Sequence, residues 1–239
     1  MGGAREKRPD GKSLVPRLRM RMGAHLLQAI RPTPDRTREE RSFMRSRLIA
    51  WGEFFFRQRS WTPIPFMVIL LVCRINESPN RLTWLPGLVL IAMGEGLRLW
   101  GVAVVGKGSR TRGHGVERFV THGPYAYVRN PLYLGNLFLT LGVTCISRLL
   151  WMVPIAFALF LVQYVPIVLW EERILAQRFA DQYASYCHQV PRWIPLWRPQ
   201  LRSRAPASYQ WRASLWSERS TLGTLLVLLL IMIAKARRS

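Results

Sequence analysis

Apolar residues in this chain fall into blocks separated by polar, basic stretches, rather than spreading evenly. The clearest blocks are 82–105 and 149–170. At about 1.5 Å of helical rise per residue, each is long enough to cross a hydrocarbon core of about 30 Å. A shorter block, 62–76, is bracketed by Trp61 and Arg74, which suit a membrane interface. Residues 131–146 and 149–170 read as a hairpin of two spans, turned at Ser147-Arg148. Residues 48–56 (LIAWGEFFF) predict an interfacial helix leading into the membrane. Leu175, Phe179, Tyr183, Tyr186 and Val190 recur at steps of three or four, predicting an amphipathic helix over 171–190. Residues 191–220, rich in Pro, Trp and Arg, read as interfacial. Residues 221–234 read as a short apolar helix that spans, lies in the interface or re-enters. The pattern predicts an all-α integral membrane protein of about four to five transmembrane helices.

Composition sharpens this picture. The chain has 239 residues, 49% of them hydrophobic, which excludes disorder as its main state. It carries 35 Lys+Arg against 13 Asp+Glu, a formal net charge of +22. Such charge suits nucleic acid or a membrane surface, and its placement between apolar blocks points to membrane lipids and not to nucleic acid. Basic residues crowd the N-terminal arm, the 106–130 loop and the 171–220 tail, whereas the opposite turns offer Arg74, Arg81 and Arg148. That asymmetry predicts a cytoplasmic N-terminus. With no eukaryotic organelle signal evident, a bacterial inner membrane is the default location. Four stretches follow. Residues 1–47 are a flexible basic cytoplasmic arm without a signal peptide, and 48–105 are N-terminal membrane helices. Residues 106–195 are a core of loop, helical hairpin and amphipathic helix. Residues 196–239 are an interfacial tail with a short apolar C-terminal helix. Cys73, Cys145 and Cys187 have neither disulfide-scaffold nor zinc spacing, and no metal and no obligate protein partner are expected.

Several positions carry candidate chemistry. Glu95 and Arg98 lie inside a predicted span, three residues apart on one helix face. They either pair with each other or serve a function. Gly94 and Gly96 leave room for a ligand or for a second helix. In the loop, Gly123-Pro124 makes a turn, and Pro131 suits the first turn of the next span, whose amides would face an anionic group. Tyr125, Tyr127 and Tyr133 offer aromatic walls with polar tips, or an ordinary interfacial belt. His114 and His122 are possible proton carriers. Glu171-Glu172 stand where the 149–170 span ends, ready for a cationic ligand or for neighbouring Arg side chains.

These passages occur in a characteristic order: GxG in a span (Gly94-Glu95-Gly96), GPYxxVRxPxYxG (Gly123 to Gly135), a hairpin, EE (Glu171-Glu172), then a Phe/Tyr/Tyr helix ending in VPRWIP. Over roughly residues 94–195 this resembles the isoprenylcysteine carboxyl methyltransferase and phospholipid methyltransferase superfamily of integral membrane methyltransferases. The resemblance implies an S-adenosylmethionine-dependent methyltransferase, with the cofactor held at the cytoplasmic boundary by a loop and the post-hairpin helix. Its acceptor would be a lipid or a lipidated small molecule. Carried over residue by residue, the cofactor-binding positions are Glu117, Arg118, Phe119, Val120, Tyr125, Asn130, Pro131, Leu132, Tyr133 and Glu171. The catalytic candidates are Arg129, which would orient an anionic headgroup, and Glu172, which would take a proton from an amine, as would Glu95. Many family members have His at the place of Asn130. Isoprenylcysteine enzymes tend to have Arg where this chain has Ile167, so a prenylcysteine carboxylate would lack that partner. Sterol reductases are similar in their C-terminal half, which gives an NADPH-dependent membrane reductase as a second reading. A non-catalytic structural membrane protein is a third.

Overall fold

The computed structural model describes residues 36–59, 61–73, 81–105, 119–199 and 209–236. All regular structure among them is helical: α1 (Arg36–Gln58), α2 (Pro63–Val72), α3 (Arg81–Val105), a one-turn 3-10 helix (Gly123–Ala126), α4 (Pro131–Ile146), a second short 3-10 turn (Leu150–Met152), α5 (Val153–Gln189) and α6 (Trp211–Ala236). Three stretches, Trp84–Val105, Leu150–Gln189 and Trp211–Ala234, are long and apolar enough to cross a membrane, and α2 and α4 are shorter apolar helices. The chain is an integral membrane protein. Residues 46–239 form one compact unit, which holds the helix packing and the site described below.

Helix boundaries depart from the sequence reading in three places. The helix expected over 48–56 begins at Arg36, inside the arm assigned to 1–47. No proline lies between Pro34 and Pro63, so nothing interrupts the backbone there. The 171–190 helix is continuous with the preceding span: α5 runs for 37 residues, broken only at Ala180 (φ 32°, ψ −109°). The interfacial tail and short C-terminal helix are replaced, from Trp211 onward, by the 26-residue α6. This helix buries Ser214 and Glu218 and exposes Leu215 and Trp216, an amphipath with its polar face inward. A Pro/Trp/Arg-rich surface segment and an inverted amphipath have similar composition, and burial in a bundle decides between them. The expected hairpin turn forms, with Arg148 at φ 65°.

In a bilayer the lipid is as apolar as the helix faces, so close packing and polar contacts hold helices together. Both are present. Gly87 and Gly94, one heptad apart on α3, meet Gly142 and Gly135 on antiparallel α4. A Cβ on Gly94 would stand 2.7 Å from the Gly135 carbonyl oxygen, and one on Gly142 would stand 2.7 Å from that of Gly87. The polar contacts centre on Arg98. Its guanidinium donates to Asn136 on α4 and pairs with Glu218 on α6. It also lies 3.6 Å from Glu95, and its Nη2 donates to Thr221 at 3.3 Å. Asn136 Nδ2 donates to the Tyr164 hydroxyl of α5 at 3.0 Å. Four helices thus share one buried polar cluster.

The α6 start is tied to the α3 end. Gln210 N–H donates to the Ala103 carbonyl (2.9 Å) and Ser214 Oγ to that of Leu99 (2.7 Å). Met232, near the other end of α6, packs with Phe66, Ile146 and Leu149. The α6 terminus therefore lies at the end of the bundle opposite the Gly123–Pro131 segment.

Candidate functional site

The segment joining α3 to α4 folds because of its own turn residues. Gly123 adopts φ 63° beside Val104 and Trp100, a conformation and a space that exclude a side chain. Pro131 is buried and opens α4. Asn130 occupies the cap position but does not cap the helix. Its Nδ2 instead donates to the Arg192 carbonyl at 3.2 Å. The run after α5 is laced onto this segment. Arg129 N–H donates to the Pro191 carbonyl and Leu196 N–H to that of Tyr127, both at 2.9 Å.

Two of the expected cofactor positions meet directly. Tyr133 Oη donates to Glu171 Oε1 at 2.8 Å, joining residues 38 apart in sequence. Tyr125 lies alongside. Burial, then the nearby Glu171 carboxylate and Tyr186, push its phenol well above the ordinary tyrosine value, so it remains a neutral donor. A Cβ on Gly101 would stand 2.7 Å from Leu132 Cδ2 and 3.7 Å from Tyr125 Oη, so Leu132 and Tyr125 share one corner against α3. Phe119 packs against Phe179, Tyr183 and Tyr186 with centroids 5.3–5.9 Å apart, next to buried Val120. The Ala180 break reorients α5 so that Tyr186 Oη donates to the Tyr125 carbonyl at 2.7 Å. Glu117, Arg118 and His114 lie outside the described residues.

The two catalytic candidates also meet, in a different arrangement. Glu172 receives Arg192 through Nε (2.8 Å) and Nη2 (2.6 Å), and Arg129 Nη1 stands 3.1 Å away. Arg129 Nη1 also lies 2.9 Å from Cys187 Sγ. The Glu172 carboxylate, foremost by hydrogen bonding, holds the Arg192 guanidinium above its ordinary value. The geometry directs the charge of Glu172 onto two guanidiniums. Glu172→Gln is expected to loosen the 190–196 run, speeding amide exchange at Arg129 and Leu196 by about tenfold or more, read by hydrogen-exchange mass spectrometry. Unchanged exchange would remove this fastening role.

Sequence reading missed Arg59, in the turn that follows α1. Its guanidinium lies over the Phe56 ring, 3.8 Å from the centroid. Its carbonyl accepts from Gln163 Nε2 at 3.4 Å. Its positive charge is felt by Glu171, Tyr133 and Tyr164. Nothing in the local spacing links residue 59 to residue 171. Asn136 and Tyr164 were missed as well, because a single amide and a single phenol inside apolar runs give no periodic signal.

Residues 82–182, which hold Tyr125, Tyr133, Glu171 and Glu172, match the sequence profile of the phospholipid methyltransferase family. Over these residues, somewhat under half of its length, the chain is similar to the membrane methyltransferase superfamily. The chain is 32% identical over 117 residues to protein-S-isoprenylcysteine O-methyltransferase B of Arabidopsis thaliana, covering 46% of this chain and 57% of that one. It is 29% identical over 119 residues to the cobalt-zinc-cadmium resistance protein CzcN of Cupriavidus metallidurans, covering 49% of this chain and 50% of that one. The chain thus spans about half the length of the curated relatives it matches. No solved structure matches it. Arg59 and all of α6 lie outside the residues that match the family.

Proposed function

We propose that this chain is an S-adenosylmethionine-dependent methyltransferase acting on a lipid or lipidated small-molecule acceptor at the cytoplasmic membrane face. The observation that carries the reading is the Glu171 carboxylate, held by the Tyr133 hydroxyl with Tyr125 beside it, inside the family-matched residues. S-adenosylmethionine, when bound, supplies an activated methyl on a sulfonium, so alignment and desolvation are what the protein must add. Glu171 would hold the ammonium of the cofactor, and Tyr133 fixes that carboxylate in place. Tyr125, Phe119 and Val120 would wall the adenosine, with Pro131, Leu132 and the Asn130 backbone at the start of α4. Glu117 and Arg118 belong to the same set by sequence. Arg129 and Glu172 act here as positioning residues, because together with Arg192 they fasten the 190–196 run over the segment that carries Tyr125. A neutral, hydrogen-bonded donor such as Tyr125 suits a site that must exclude water. The crowding of basic residues in the N-terminal arm and central loop supports a cytoplasmic site, and a bacterial-type inner membrane is the default location.

Calorimetric titration of S-adenosylmethionine into purified protein in detergent tests the reading. Saturable binding is expected, weakened about tenfold or more by Glu171→Gln, since a charged partner is lost, and less by Tyr133→Phe. Folded protein without saturable binding would sink it. Saturable binding of NADPH in its place would favour the reductase reading.

A further inference from the structure

The proposed cofactor ends in an α-amino acid, which carries one positive and one negative charge. Glu171 answers the positive one, while the negative one has so far only the backbone amides at the start of α4 and no charged side chain. We infer that Arg59 supplies the other half, receiving the cofactor carboxylate so that Arg59 and Glu171 form a clamp for the zwitterion. This inference rests on the methyltransferase reading above.

Three features of Arg59 support it. Its Nη1 is buried and has no hydrogen-bond partner among the described residues. A buried guanidinium donor left unmatched is costly, so such an atom marks the place of an anionic ligand. Its position is fixed from both sides, since the Phe56 ring supports its flat face at 3.8 Å and Gln163 binds its carbonyl. Phe56 in turn packs with Phe160, Tyr164 and Ile167, the same cluster that includes Tyr133. Tyr133 bonds Glu171, so the guanidinium and the carboxylate border one aromatic wall.

The charge pattern chooses the ligand. Arg59 and Glu171 carry opposite charges, and the Arg59 charge acts on Glu171. A lipid phosphate would satisfy Arg59 and be repelled by Glu171. A simple amine would satisfy Glu171 and be repelled by Arg59. A zwitterion with adjacent charges satisfies both. Ile167 contributes no charge to this wall, and Arg59 reaches it from the turn after α1, which precedes the family-matched residues.

The test compares two ligands that differ by a single carboxylate: S-adenosylmethionine and decarboxylated S-adenosylmethionine. Titrated calorimetrically into the full chain in detergent, wild type is expected to prefer the first by about tenfold or more. Arg59→Gln is expected to abolish that preference while binding the decarboxylated ligand as wild type does, which also shows that the variant is folded. Arg59→Lys, a point charge without the fork, is expected to keep part of the preference. A preference retained in full by Arg59→Gln would overturn the clamp and leave the cofactor reading standing. Equal affinities of wild type for the two ligands would do the same without any variant. Folded wild type that binds neither ligand would overturn both.

Discussion

Arg98→Met is expected to destabilise the helical bundle by about 3–5 kcal/mol, the loss typical of removing one partner from a buried ionic cluster. Arg98 is the cation to which α3, α4 and α6 all contribute partners: Glu95, Asn136, Glu218 and Thr221. Glu218 is only 1% exposed and Glu95 6%, so neither carboxylate reaches water when the guanidinium goes. Methionine keeps most of the volume, which separates the electrostatic loss from a packing loss. Reversible unfolding in mixed micelles, followed by helical circular dichroism, would measure it. The double variant Arg98→Met/Glu218→Leu is expected to recover part of the loss, because replacing several members of a buried ionic group by apolar residues costs less than orphaning one. A single-variant cost below about 1 kcal/mol would show that the cluster does not hold the helices together.

Gly94→Ala and Gly96→Ala, two residues apart on one helix, are expected to behave oppositely. A methyl on Gly94 would meet backbone of α4, the Gly135 carbonyl oxygen at 2.7 Å and the Leu139 nitrogen at 3.0 Å. Neither atom belongs to a flexible side chain, so the helices must move apart along the whole Gly87–Gly142 and Gly94–Gly135 seam. Overpacking of this kind costs about 1–3 kcal/mol. A methyl on Gly96 meets nothing within 4 Å, and helix propensity then favours alanine by up to about 1 kcal/mol. The same unfolding measurement compares them. Similar effects at both positions would deny the seam its role.

These cases show what kind of information the chain carries on its surface. Helical spacing put Glu95 and Arg98 on one face, and they do approach to 3.6 Å. Spacing could not show that Arg98 also belongs to Glu218, 120 residues later. The hint was present: Ser214, Ser217, Glu218 and Thr221 repeat at helical steps. Flanked by Trp211, Trp216 and Arg219, that stripe looks like a helix lying on a membrane surface, and only a neighbouring helix with a buried cation turns it inward. The two glycines of the GxG were equivalent as letters, and one degree of freedom, the rotation of α3 against α4, distinguishes them. The Ala180 break was illegible for a related reason. The apolar steps run through it unchanged, because Phe179 on one side and Tyr183 and Tyr186 on the other all pack on Phe119. By contrast the Gly123-Pro124 turn and the Pro131 helix start were readable, since the backbone constraint resides in the residue itself, and the Ser147-Arg148 turn was readable as the polar break between two apolar runs.

The span of sequence between Arg98 and Glu218 also sets a timetable for biosynthesis. At about 5–20 residues per second, Glu218 leaves the ribosome about 6–24 s after Arg98. Throughout that interval α3 must reside in the bilayer with its guanidinium lacking the partner that α6 brings. Glu95, three residues away on the same helix, is the one acid that accompanies Arg98 from the moment of insertion. It serves as an internal counter-ion for the nascent helix until α6 brings Glu218.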